Sequence, residues 1–133
     1  MPYVWLVEDS LHQLEELSKL FRDDLGLSVE PFRNASDLLT KIAALPRPDA
    51  IILDLALIGN MNGFQLGLEI LRQRGDITPQ QFCFLSGWSQ QFKEIAPAEF
   101  QKNRLVDKGD WTLDQLQSAL EEAKNESNKP KTS

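Results

Sequence analysis

With 133 residues, 41% of them hydrophobic and 26% charged, the chain has the make-up of one globular domain large enough for a proper core. A net charge of −6 argues against electrostatic binding of nucleic acid, which needs clustered Lys and Arg. No apolar stretch approaches the ~20 residues of a membrane span, the N-terminus lacks the basic-then-apolar pattern of a signal peptide, and Cys83 as the single cysteine leaves no internal disulfide, which suits a reducing cytoplasm.

In chain order, Tyr3-Val4-Trp5-Leu6-Val7 reads as a first strand. Leu11, Leu14, Leu17, Phe21 and Leu25 follow at helical spacing, with Ser10 or Asp9 to cap the start and Gly26 the end. A second strand is predicted over 27–32, turning at Pro31 or shortly after. Ala35, Leu38, Leu39, Ile42 and Leu45 mark a second helix, stopped by Pro46 and Pro48. The third strand covers 49–55 and an irregular loop leads to Gly63. Phe64, Gly67, Leu68 and Leu71 form the stripe of a third helix ending at Arg74-Gly75, and 81–85 is the fourth strand. Between 88 and 101 helical composition is broken by Pro97, which predicts a short piece on either side. Leu105-Val106-Asp107 is a fifth run, and Leu113, Leu116, Leu120 and Ala123 give a last helix with Thr112 and Gln115 at capping-box spacing. Strand and helix alternate five times, which implies a parallel sheet covered on both faces with right-handed crossovers. Residues 1–124 read as one domain and 125–133 as a polar, disordered tail, and the chain as a stand-alone protein.

The chemistry lies at the ends of the apolar runs. The first runs into Glu8-Asp9, the third into Asp54, the fourth into Ser86 and the fifth into Lys108. If these runs are neighbouring parallel strands, three carboxylates, a hydroxyl and an ammonium meet at the carboxyl edge of the sheet, where open α/β folds bind ligands. Asp54 alone could be a turn cap, Glu8-Asp9 a complement to a helix dipole, and Lys108 a solvated lysine. Together they are better explained by a site, because three carboxylates repel unless a cation sits among them. Oxygen ligands in that number favour a hard ion, Mg²⁺ or Mn²⁺. His12 reads as a surface residue and Cys83 as core.

On these residues the chain resembles the receiver domains of bacterial two-component response regulators, over about residues 3 to 124. The resemblance implies a flavodoxin-like, five-stranded parallel doubly wound sheet of order 2-1-3-4-5. It implies a phosphoacceptor at Asp54, an acidic pair at Glu8 and Asp9, the Thr/Ser position at Ser86 and the lysine at Lys108. Mg²⁺ is then held by Glu8, Asp9, Asp54 and the backbone carbonyl of Ala56. The implied function is acceptance of a phosphoryl group from a sensor histidine kinase or a histidine phosphotransfer protein in a two-component system or phosphorelay. Output would pass by protein contact through the Trp88–Trp111 face, where Phe92 and Phe100 are either exposed or buried. Neither nucleic acid nor membrane is engaged, and the domain is a signalling phosphoacceptor rather than an enzyme with a separate substrate.

Departures from the family pattern are as telling. Leu57-Ile58-Gly59-Asn60-Met61-Asn62-Gly63 lacks the usual proline and reaches the glycine one residue late. Gly109 replaces the proline after the lysine, and Leu105 stands where an aromatic residue usually switches. Trp88 and Ala56 flank the site and are expected to slow water attack on the acyl phosphate. Leu105, Pro97 and the altered loop motivate an alternative, a receiver-like adaptor that binds partners whether or not it is phosphorylated. A haloacid-dehalogenase-type phosphatase would need a second Asp two residues after the nucleophile, where Ala56 stands. A Rossmann unit would need the G-x-G-x-x-G that is missing, and a flavodoxin-like cofactor domain would not place Glu8-Asp9 against a phosphate.

Overall fold

A computed structural model describes residues 2–57, 61–86, 95–101, 103, 105–107 and 121, and the side chains of all of these except 105–107. Strands β1 (Tyr3–Val7), β2 (Ser28–Phe32), β3 (Ala50–Asp54), β4 (Phe82–Ser86) and β5 (Leu105–Asp107) form one sheet in the order β2-β1-β3-β4-β5. Every pairing is parallel. Helices α1 (Leu11–Asp23), α2 (Ala35–Lys41) and α3 (Gly63–Gln73) connect the first four strands, with 3₁₀ turns at Ile42–Ala44, Pro79–Gln81 and Ala98–Phe100. The expected α/β sheet with its 2-1-3-4-5 order is therefore present. The last helix, the tail and the piece preceding Pro97 lie outside the described residues, apart from Ile95, Ala96 and Glu121.

The strands carry almost unbroken apolar runs because both faces are covered. Val4, Leu6, Ala50, Ile52, Cys83 and Leu85 meet Leu14, Leu17 and Phe21 of α1 on one face. Trp5, Val7, Ile51, Leu53, Phe82 and Phe84 meet Leu38, Phe64, Leu66 and Ile70 from α2 and α3 on the other. Each Val, Leu, Ile or Phe side chain among these contributes roughly 1.5–3 kcal/mol when fully withdrawn from water. Cys83 is core, as its setting in the fourth run suggests, and His12 is exposed, pairing with Glu16 one turn along α1.

Local chemistry explains where the elements start and stop. Ser10 caps α1 by accepting a hydrogen bond from the Gln13 N–H at 3.4 Å. Gly26 takes φ +66° beyond its end, a conformation that a side chain would strain. β2 runs through Pro31 and ends at Phe32, the later of the two expected turning points. The Ser28 N–H donates to Pro2 and the Phe32 carbonyl accepts from Glu8, so alternate residues address β1. Pro31, one step out of phase, directs its missing donor to the open edge, where it costs no ladder bond. The second helix is α-helical only to Lys41 and tightens to 3₁₀ before Leu45, whose ψ of 139° is the extended conformation that a following proline demands. In α3 the buried stripe is Phe64, Leu66, Gly67 and Ile70; Leu68 and Leu71, expected to share it with Phe64 and Gly67, are only partly buried. No described helix is long and apolar enough to cross a membrane.

Candidate functional site

β1 and β3 are adjacent, with Val7 level with Leu53, so Glu8 comes level with Asp54 at the carboxyl edge of the sheet. On the other side Asp54 is level with Leu85, and Ser86 ends β4 opposite Asp107 of β5. Carboxylate oxygens of Glu8, Asp9 and Asp54 all lie within 4.8 Å of one another. Glu8 and Ser86 are fully buried, Asp54 is 1% exposed, and Asp9 is half-buried.

Each group is held by its local backbone. The Glu8 N–H donates to Phe32 at 3.1 Å, while its Oε1 accepts from the Ser10 N–H at 3.2 Å. One oxygen of Asp54, Oδ1, accepts from the Ala56 N–H at 3.0 Å, which sets the plane of the carboxylate. Leu55 is tied on both sides, its N–H donating to Leu85 at 2.9 Å and its carbonyl accepting from Gly63 at 3.1 Å. The longer loop after Asp54 thus leaves and returns at one fixed point. Asn62 and Gln65 form a reciprocal capping box that starts α3 there, with bonds of 2.9 and 2.8 Å. Gly63 is required by close approach: a Cβ at this position would stand 2.6 Å from the Asp54 carbonyl oxygen and 2.9 Å from Leu55 Cα.

Like charges this close and this dry repel strongly. A donor set made only of carboxylate oxygens, in part buried and converging within 4.8 Å, fits a small hard divalent cation and fits poorly a soft metal. Glu8, Asp9 and Asp54 are the residues that could hold it.

The fold thus brings Glu8, Asp9, Asp54 and Ser86 to one edge. Ala56 is exposed, and its N–H addresses Asp54. Leu105 lies in β5, level with Phe84. Lys108, Trp88, Phe92 and Trp111 lie outside the described residues. Phe100 is buried at 1% exposure, which removes it from the docking face. Two features went unread in the sequence: the pairing of Asn62 with Gln65, whose N-x-x-Q spacing was legible, and the seating of Phe100 on Gly67, which no local pattern announces.

A family model described as response regulator receiver domain matches residues 4–121. The chain belongs to that family. Solved structures similar to this receiver domain include a signal receiver domain of an HD domain-containing protein from Pseudomonas fluorescens, 25% identical, with a TM-score of 0.74 over 95% of this chain and 96% of that one. Response regulator protein TrrA from Thermotoga maritima, solved with Mg²⁺ and BeF, is 19% identical with a TM-score of 0.74, covering 92% of this chain and 99% of that one. A response regulator receiver domain from Clostridium thermocellum is 18% identical, with a TM-score of 0.73 and coverage of 95% and 96%. No curated protein sequence matches this receiver domain. Family membership implies phosphoacceptor signalling in a two-component system, and the fold is common to all three neighbours.

Proposed function

We propose that Asp54 of this receiver domain accepts a phosphoryl group from a phosphohistidine on a sensor histidine kinase or histidine phosphotransfer protein. The observation that carries this reading is the convergence of three carboxylates within 4.8 Å at the carboxyl edge of the sheet, with Asp54 buried and oriented at its centre. An Asp54 oxygen forms the bond to phosphorus as the bond from phosphorus to the donor imidazole breaks, giving an acyl phosphate and a free histidine. The Ala56 N–H on Oδ1 keeps the carboxylate in one orientation, so the reaction is mainly a matter of position and electrostatics. Glu8, Asp9, Asp54 and the Ala56 carbonyl would hold Mg²⁺ or Mn²⁺, which when bound would offset the charge on the phosphoryl oxygens. Ser86 and Lys108 then hydrogen-bond those oxygens, and their movement toward the new charge switches the protein contacts made by the domain.

The downstream partner is read as a protein that docks on the Trp88–Trp111 face, and a reducing cytoplasm as the setting, which the single, buried Cys83 suits. Trp88 and Ala56 are the residues read as slowing hydrolysis of the acyl phosphate. Incubation with Mg²⁺ and acetyl phosphate, followed by intact mass, tests the reading. One added phosphoryl group, missing in Asp54→Asn and without metal, is the expected result. No addition, with a phosphorylated kinase also failing as donor, would leave the phosphorylation-independent adaptor as the function.

A further inference from the structure

Phe100 occupies an unusual place in this molecule. It follows Pro97 in the 3₁₀ turn Ala98–Phe100, on the way from β4 to β5, yet it is 1% exposed. Its ring stacks with Phe64 at 6.3 Å between centroids, meets Phe82 at 5.1 Å, and stands edge-on to Phe84 at 4.9 Å. On α3 it covers Gly67 so closely that a Cβ there would lie 2.8 Å from Cζ and 2.9 Å from Cε2 of the ring. The bare glycine is the socket, and the ring fills it.

The elements that Phe100 touches adjoin the candidate site: α3 abuts the end of the Asp54 strand and β4 carries Ser86. Phe64 and Gly67 belong to α3, whose first residue, Gly63, abuts the backbone of Asp54 and Leu55. Phe84 belongs to β4, two residues before Ser86. On the far side, Phe100 is locked into the approach to β5. Its N–H donates to Pro97 at 2.9 Å, its carbonyl accepts from Asn103 at 3.1 Å, and the Asn103 side chain donates to Pro79 and Phe82 at 2.8 Å each. Close-packed interiors shift between discrete arrangements instead of deforming continuously. A shift of α3 against the Asp54 backbone, or of the Ser86 end of β4, must therefore displace a ring that has no free volume on the Gly67 side. Asn103, held at two carbonyls, ties this segment to the start of β4.

We infer that Phe100, seated on Gly67, is the conformational link that passes a change at the Asp54–Ser86 edge to the segment entering β5. It is a positioning residue acting through α3 and β4, and it takes the transmitting part that Leu105, an aliphatic side chain in β5, is not shaped to take. The inference rests on the phosphoacceptor reading and deepens it.

The experiment is hydrogen–deuterium exchange of the full chain with and without Mg²⁺ and beryllium fluoride, a phosphoryl mimic, with occupancy followed separately by ¹⁹F NMR. In the wild type, exchange across 97–107 should change by about tenfold, toward the low end of ordinary site-to-site coupling. In Phe100→Leu, with beryllium fluoride bound to the same extent, that change should fall below about twofold. Gly67→Ala, which crowds the ring from the opposite side, should reduce the response likewise while keeping an aromatic at 100. An undiminished change across 97–107 in both variants at equal occupancy overturns the link and leaves the phosphoacceptor reading standing. Failure of the wild type to bind the mimic sinks that reading, and the link with it.

Discussion

At the scale of single residues, the groups that stabilise the chain sit apart from those that could react. Arg74 is an example at the edge opposite the carboxylates. Its guanidinium lies 5.7 Å from the centre of the Trp5 ring, donates to the carbonyls of Ile42 and Leu45 at 2.7 and 2.8 Å, and pairs with Asp76. That hydrogen-bonded pairing holds the Asp76 carboxyl below its ordinary range and raises Arg74. Arg74→Met should cost roughly 1–3 kcal/mol by denaturant titration, since it strips donors from two partly buried carbonyls. The Asp76 share is small, because that side chain is 44% exposed. Its sign is definite: a lowered carboxyl stabilises fully at pH above the unfolded value of about 4 and loses this as pH falls through the folded one. The difference between wild type and Arg74→Met should accordingly narrow slightly in acid, and a widening gap would contradict the pairing.

At the scale of elements, α3 is the piece on which the site and the proposed link both depend. The Asn62–Gln65 box fixes its start, Gly63 lets it touch the Asp54 strand end, and Gly67 receives Phe100. The two glycines should respond differently to alanine. At Gly63 the obstacle is backbone, which cannot turn aside, so Gly63→Ala should destabilise by about 1–3 kcal/mol through overpacking. It should also impair acetyl phosphate labelling of Asp54, because the strand end must move. Thermal unfolding and intact mass on one sample measure both effects. A variant as stable and as readily labelled as wild type would show that α3 is not braced on Asp54. Helix propensity cannot rescue this position, since the ~1 kcal/mol that alanine offers applies to helix interiors.

At the scale of the whole molecule, the sheet concentrates like charge at one edge of a protein already at −6. Metal binding to the folded state alone should stabilise it by RT ln(1 + [L]/Kd), about 1.4 kcal/mol at a tenfold excess over Kd. In a domain of this size that is a rise of about 5 °C in Tm. Mg²⁺ should produce the rise in wild type and lose most of it in Asp9→Asn. Equal rises in both proteins would remove Asp9 from the metal site. The apolar runs, their alternation with helical periods and the residues that end each run were open to reading in the primary structure, because burial on both faces leaves strands no polar positions to hide them. Glu8, Asp54 and Ser86 could be named for the same reason: each is the first polar residue after such a run, and Asp9 follows Glu8 directly. Local pattern failed where a neighbour decides. Leu66 and Ile70 displace Leu68 and Leu71 from the buried stripe only because of where α3 rests on the sheet. The chain by itself determined the fold and the chemical kinds of the groups at its carboxyl edge. Tertiary structure alone decided that Gly63 must be bare against Asp54 and that Phe100, remote in sequence, fills the space over Gly67, since such contacts join segments with no common period.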